Sequence, residues 1–547
     1  MKAIRLVIIS WICCMHLAAQ SPIVWQWKID VKGGIERDSA RAFLWIPENC
    51  KQVKGVVFAQ HNMEEISILE NPRFRKTLSD IGFAEIWCNP GFDHLFRFNQ
   101  GAGDLFNRIM SELAQISGYD DLNYAPIVPI GHSAAASWPY YFAAWNPERT
   151  LAAISVSGQW PYFRSPVFAP DIWGDKTIDF VPALETMGEY EGADSWSKEG
   201  LKERMQHPSM PLSMLACPTE GHFASTDKKV DYLSLYIRKA IQYRYPHKYP
   251  RKGSVKLTPI DPKSTGWLVD KWRLNEMPKA QAAPVAEYKG DPAEAFWFFD
   301  KEMALATEEY QSAYRNMKPQ LLGYVENGKV LKQSNSHLQV TLGFQPIKDG
   351  STFVLKGTFL DTVPGESPRP AGWAQLNVGS HIGHAQKGEI TIHKICGPVE
   401  QLTADTFAIH FDRSGFGFGR RDIEVPFAAT HLGDKIYKPM VQQAHMFIPA
   451  YNKQGITQHI IFPKIADQKE GVKSIQLAAV SDSGLPINYY IESGPAIING
   501  DQLLLRKIPP KSKFPIKVTV VAWQWGRSIA PLYQSAEPIK QIFYINK

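Results

Sequence analysis

The chain has 547 residues, of which 44% are hydrophobic and 21% charged, with a formal net charge of +6. That length predicts about two to four domains around sizeable cores, and the composition is that of a globular protein rather than a disordered one. No basic run or aromatic-interleaved basic patch supplies a nucleic-acid footprint, so no nucleic-acid partner is expected.

Residues 1–20 read as a targeting segment. Lys2 and Arg5 give a positive start, Leu6–Met15 a short apolar core, and Leu17-Ala18-Ala19 small residues before a cut near Gln20. The apolar run is too short for a bilayer anchor, so no stable membrane insertion is expected. Ile12 and Cys13 precede the two cysteines of this segment where a lipid-attachment signal needs a small residue, which favours a soluble exported protein. Beyond it, Cys88 and Cys217 lie in strand-like runs and read as buried thiols. No Cys-x-x-Cys pair or His/Cys spacing suggests a metal, and no cofactor is expected.

Residues 21–250 alternate strands with helices, the pattern of a mostly parallel doubly wound α/β sheet. Ile23–Val31 and Ala40–Ile46 predict an antiparallel pair, and Val53–Ala59 a buried strand ending at Gln60-His61-Asn62-Met63. A helix over 68–81, a strand Phe83–Cys88 and a helix Asp104–Ser117 follow. Ala125–Ile130 predicts a strand and Ala134–Trp145 a helix. Leu151–Val156, Val181–Met187 and Met210–Ala216 predict further strands. The last helix is Lys228–Arg244 with Asp227 as its cap. Prolines 246 and 250 mark the expected boundary near residue 250. In residues 251–450, Asp291-Pro292 predicts the start of a helix reaching about Asn316, and short strands dominate from 320 onward. Residues 451–547 predict a separate small β-sandwich.

Gly131-His132-Ser133-Ala134-Ala135 falls between the strand and helix predicted around it. Serine at such a turn is the nucleophile-elbow arrangement, in which small neighbours let the chain turn sharply and expose the hydroxyl. Serine is also a favoured helix cap, so the turn needs partners elsewhere before it means catalysis. An activated serine needs a base, and the base needs an acid to orient it. Glu191 and Glu189 follow one later strand in Gly188-Glu189-Tyr190-Glu191, and His222 follows the last strand in Gly221-His222-Phe223. The order Ser, acid, His places all three at the carboxyl edge of one sheet. Ser133 is therefore the candidate nucleophile, His222 the base and Glu191 the acid. Glu189 is the alternative acid, with Asp194 a third and Glu220 a neighbouring contact.

The oxyanion requires fixed N–H donors. Ala134 should supply one, and Asn62 or Met63 the other. His61 and His132 read as structural or packing histidines. Trp160, Tyr162 and Arg97 are candidate substrate contacts, because aromatic faces stack on sugars and guanidinium groups hold carboxylates. Phe163 and Arg164 stand near them in sequence, and Trp138 reads equally as core.

On the three motifs just quoted, residues 23–250 resemble the α/β-hydrolase superfamily, with Ala135 departing from its usual second glycine. In overall layout the whole chain is similar to exported esterases from polysaccharide-utilisation loci of gut and environmental Bacteroidetes. Among these it resembles the pectin methylesterases of carbohydrate esterase family 19, which act on rhamnogalacturonan II and homogalacturonan. The tail motifs Asp482-Ser483-Gly484-Leu485-Pro486 and Ser493-Gly494-Pro495-Ala496 resemble bacterial immunoglobulin-like modules. The resemblance implies a secreted serine carbohydrate esterase of the Gram-negative periplasm or cell surface, with a polysaccharide or oligosaccharide as its substrate. Methyl esters of pectic uronic acids are the expected target. Removal of acetyl groups by the same triad, or glycan binding without catalysis, are the alternatives.

Overall fold

The computed structural model describes residues 23–36, 39–163, 172–250, 252–334, 337–367, 369–415 and 423–547. The expected targeting segment and Arg164 lie outside the described residues.

The first region is built on eight strands. They are β1 (Trp27–Val31), β2 (Ala40–Trp45), β3 (Gly55–Gln60), β4 (Phe83–Cys88), β5 (Ile127–His132), β6 (Ala153–Val156), β7 (Ala183–Gly188) and β8 (Leu212–Cys217). Their order across the sheet is β1-β2-β4-β3-β5-β6-β7-β8. From β4 to β8 all neighbours are parallel, while β2 runs antiparallel to both β1 and β4. Strands β2 to β8 are buried along their whole length, which is why they read as near-continuous apolar runs. The helices are α1 (Glu65–Leu69), α2 (Pro72–Ile81), α3 (Ala102–Ser117), α4 (Trp138–Trp145), α5 (Ala193–Gln206) and α6 (Asp227–Arg244), followed later by α7 (Lys301–Ser312). This is the expected doubly wound α/β layout. The chain steps from β3 to β4 on one side and then crosses to β5 on the other, so β3 and β5 flank the point where open α/β sheets leave a crevice.

Several boundaries move for identifiable reasons. The helix predicted over 68–81 is two helices, because Asn71 caps a fresh start by accepting from Arg73 N–H and Pro72 occupies its first position. Thr226, not Asp227, caps α6, its hydroxyl accepting from Lys229 N–H. The helix expected from Asp291 does not form. Residues 292–294 make one tight turn, and the apolar run Ala295–Phe298 becomes a buried strand. Helix α7 then starts at a different cap, Asp300, which accepts from Met303 N–H at 3.0 Å.

That strand shifts the expected limit at residue 250. Ala295–Phe298 pairs with Trp267–Asp270, and this small sheet and α7 pack into the same core as the eight-stranded sheet. Trp297 and Met303 are fully buried there, and Tyr310 is the last residue of that core. Ser213 on β8 donates to the Trp297 carbonyl at 2.5 Å, stitching the two pieces.

The rest is β-rich. A four-stranded sheet contains the long antiparallel pair Glu424–His431 and Met440–Phe447, and a three-stranded sheet faces it across a shared core. The tail forms a second two-sheet unit around Leu503, Val518, Val520 and Phe543. It is not wholly separate, since Tyr490, Val521, Trp523 and Trp525 belong to the preceding core. All four described cysteines are buried and free, at positions 50, 88, 217 and 396.

Candidate active site

The elbow is sterically forced. Ser133 sits in left-handed backbone at φ +55°, a conformation that costs energy for a residue with a Cβ and gathers at functional sites. A Cβ on Gly131 would lie 1.9 Å from the Ala135 carbonyl oxygen, and one on Gly158 would lie 1.9 Å from the Ala136 Cβ. Glycine at both positions and alanine across from them are what let the chain turn there. The predicted helix 134–145 accordingly divides into a short turn, Ser133–Ala135, and α4.

At this turn three distant residues meet. His222 Nε2 lies 2.9 Å from Ser133 Oγ, and His222 Nδ1 is hydrogen-bonded to Glu191 Oε1. Glu191 ends the turn Glu189–Glu191 that follows β7. Burial pushes its carboxyl up, but the His222 imidazole beside it, together with His337 and the Ser157 hydroxyl, more than compensates, so the group is held below the ordinary glutamate value. It is therefore an anion aimed at one ring nitrogen, which fixes Nδ1 as the protonated one and leaves Nε2 free to accept from the serine.

The alternative acid is committed elsewhere. Glu189 pairs with Lys438 from the β-rich region, and its other oxygen accepts from Thr219 N–H at 2.9 Å. Glu220 is equally occupied: it pairs with the buried Lys229 at 2.9 Å and accepts from Tyr310 Oη at 2.7 Å. Asp194 stands in the first turn of α5, beyond Glu191.

The early loop differs from expectation. Asn62 N–H and Met63 N–H were the candidate second oxyanion donors, but both donate to Glu65 Oε2, at 3.0 and 2.9 Å. The other Glu65 oxygen accepts from His132 N–H at 2.9 Å. One buried carboxylate thus ties the loop after β3 to the end of β5, and this turns both N–H groups away from the serine. The Asn62 side chain is used as well, donating to the His132 carbonyl at 3.1 Å. Ala134 remains as a donor, because its N–H precedes the first bond of its turn, Ala136 N–H to the Ser133 carbonyl.

His132 is a packing histidine. It is fully buried, and its Nε2–H donates to the His222 carbonyl at 2.9 Å with Glu64 Oε2 3.2 Å away. Burial, with the neighbouring His222, keeps it neutral by lowering its pKa well below the usual histidine value. Burial also raises the Glu64 carboxyl to about 8 against the opposing pull of Lys229. His61 packs edge-on against Trp87 and accepts from His94 Nε2 through its carbonyl at 2.8 Å.

The candidate substrate contacts do not converge on the serine. Trp160 is fully buried, stacked on Phe296 at 5.7 Å, and donates to the Trp196 carbonyl. Its flat face serves the core, not a sugar. Tyr162 stacks on His207 at 3.6 Å, beyond the far end of α5. Arg97 pairs with Asp93 at 2.8 Å and Glu36 at 3.5 Å, so its charge is already matched by carboxylates of this chain. Trp138 is core, donating to the Ile130 carbonyl, while Phe163 is partly exposed against Trp196.

Groups that the sequence did not single out come from the β-rich region. Gln443 Nε2 donates to the Phe223 carbonyl at 2.5 Å, Trp373 Nε1 to the Tyr190 carbonyl at 3.2 Å, and Tyr190 Oη to the Pro439 carbonyl at 3.3 Å. With the Lys438–Glu189 pair, these bonds clasp both loops that carry the acid and the base. The His337 ring stacks on the His222 ring. No local pattern marks these residues, since each matters only through the loop it touches in space.

No protein-family model matches the chain, and no curated protein matches it. Among solved structures, esterase PE8 is 14% identical, with 36% of this chain and 97% of that one covered and a TM-score of 0.28. An S-formylglutathione hydrolase from Agrobacterium tumefaciens is 12% identical over 40% of this chain and 92% of its own, with a TM-score of 0.29. The enterobactin esterase of Shigella flexneri is 13% identical over 41% of this chain and 60% of its own, with a TM-score of 0.31. Likenesses of this size say nothing about substrate.

Proposed function

We propose that this chain is a serine hydrolase that cleaves carboxylic esters. The observation that carries the reading is the continuous line from Glu191 through His222 to Ser133, with the imidazole within hydrogen-bond reach of both partners. Ser133 Oγ attacks the ester carbonyl while His222 Nε2 takes its proton. The Glu191 carboxylate stabilises the imidazolium that results. Ala134 N–H faces the developing oxyanion. His222 returns the proton to the departing alcohol, and water then releases the acyl group by the same steps in reverse order.

The finer reading is a methyl ester of a pectic uronic acid on rhamnogalacturonan II or homogalacturonan, cleaved by an exported enzyme. What supports it is the layout of the chain and the charged, apolar and small-residue order of its first twenty positions. Trp160 and Arg97 no longer support it. Trp373, which the β-rich region brings beside the loop of the acid, is the aromatic group that supports it instead.

Two assays test the proposal. Ser133→Ala should lower the hydrolysis of an aryl acetate by about 10⁴-fold or more. Unchanged hydrolysis would reject the assignment of the nucleophile. Native pectic fragments should release methanol; release of acetate alone would remove the methylesterase reading and leave the esterase.

A further inference from the structure

His337 stands shortly before the strand Val340–Leu342, in the β-rich region. Its ring lies 3.8 Å from that of His222, with 17° between the planes. A ligand atom of each histidine and a carboxylate oxygen of Glu191 all lie within 4.8 Å of one another. His337 is exposed, so this face is open to small solutes.

The arrangement is held at a conformational cost. His337 and Leu338 both adopt left-handed backbone, at φ +49° and +59°. Two such residues in succession, neither of them glycine, persist only where surrounding contacts impose them. Here Gln442 Nε2 donates to the Leu338 carbonyl at 3.1 Å, and its neighbour Gln443 grips the Phe223 carbonyl. One strand therefore sets the positions of both histidines.

Two imidazoles and a carboxylate are a donor set for a borderline divalent ion, zinc foremost, and not for magnesium or calcium, which take oxygen ligands. Zinc at about 2.0–2.1 Å from two imidazole nitrogens in tetrahedral geometry holds them roughly 3.3 Å apart. Nitrogens already within 4.8 Å reach that spacing when the exposed His337 ring turns out of its stack so that its lone pair converges with that of His222.

The geometry points to a binding site for zinc-like transition ions formed by His337, His222 and Glu191, whose occupancy stops hydrolysis. The loss of hydrolysis rests on the function proposed above; the binding does not. A His222 nitrogen that gives its lone pair to the ion is lost to the proton relay, and a Glu191 oxygen on the ion releases Nδ1–H. Each histidine ligates as a neutral imidazole, and any proton displaced from the ligating nitrogen passes to solvent.

Calorimetric titration of zinc chloride into the full-length Ser133→Ala chain tests binding without any need for activity. One ion per chain is expected, weakened at least about tenfold by adding His337→Ala or His337→Gln. Magnesium chloride should give no binding. In the unsubstituted chain zinc should inhibit aryl-ester hydrolysis and a chelator should restore it. His337→Ala should keep its basal rate within about twofold while its inhibition curve moves at least about tenfold to higher zinc. Absence of zinc binding, equal binding by the His337 variants, or equal binding of magnesium would overturn the proposal. Zinc binding of the expected kind in a chain that hydrolyses no ester would leave the site standing and remove the hydrolytic reading instead.

Discussion

Replacing Glu191 and Glu189 by glutamine, one at a time, separates two carboxylates that lie two residues apart yet have unrelated partners. Of the two, Glu191 is the one that reaches the reacting groups, through His222 Nδ1. An amide there cannot stabilise the imidazolium and admits the wrong tautomer. The cost in a comparable triad is about 10⁴ in kcat, equivalent to about 5.5 kcal/mol of barrier. Glu189 instead neutralises Lys438, and their side chains are 7% and 5% exposed. Glu189→Gln leaves a buried ammonium without its counter-charge, which costs about 3–5 kcal/mol of stability. The expected result is a crossed pattern. Glu191→Gln should fold with a near-normal urea midpoint and hydrolyse an aryl ester at about 10⁻⁴ of the starting rate. Glu189→Gln should unfold at distinctly lower urea while its kcat, measured where it is folded, stays within about tenfold. The reasoning is refuted if Glu189→Gln loses catalysis and Glu191→Gln keeps it.

Three other outcomes follow from the same geometry. Gly131→Ala should destabilise the fold by about 3 kcal/mol and remove activity, because its Cβ meets the Ala135 carbonyl at 1.9 Å; a soluble, active variant in a thermal-melt and activity screen would contradict this. Glu64 has a folded-state pKa raised to about 8, so between its unfolded value of 4.5 and about 8 the folded state holds the proton more tightly. Its contribution to stability is therefore full below about pH 4.5 and declines as pH rises toward 8. Glu64→Gln should flatten that part of a stability-against-pH curve, although Glu85, also raised to about 8 by burial, keeps a slope of its own. A chain cut at residue 250 loses Ala295–Phe298 and α7 from the first core and should be insoluble, as judged by soluble yield.

The positions of Ser133, Glu191 and His222 were legible because each rests on local turn chemistry at the end of an apolar strand. Gly131, Gly188 and Gly221 announce turns that side chains would obstruct. The α/β class was legible for a related reason, since strands buried on both faces leave unbroken apolar runs. The oxyanion donors were not. Which way Asn62 N–H and Met63 N–H point is decided by Glu65, and nothing in the sequence says that this glutamate is buried under the loop. Trp160 and Arg97 have the right chemistry for a sugar acid, but their partners, Phe296, Asp93 and Glu36, are matters of tertiary placement. The run Ala295–Phe298 is short and apolar, and periodicity alone cannot separate a buried strand from a helical turn in such a run. His337 carries no local signal at all.

The clasp on the acid and base loops also has a consequence in time. A ribosome delivers Ser133, Glu191 and His222 well before it delivers Lys438 and Gln443, which secure the loops of the last two. A half-made chain therefore owns all three side chains while lacking the fastening that holds the loops of two of them.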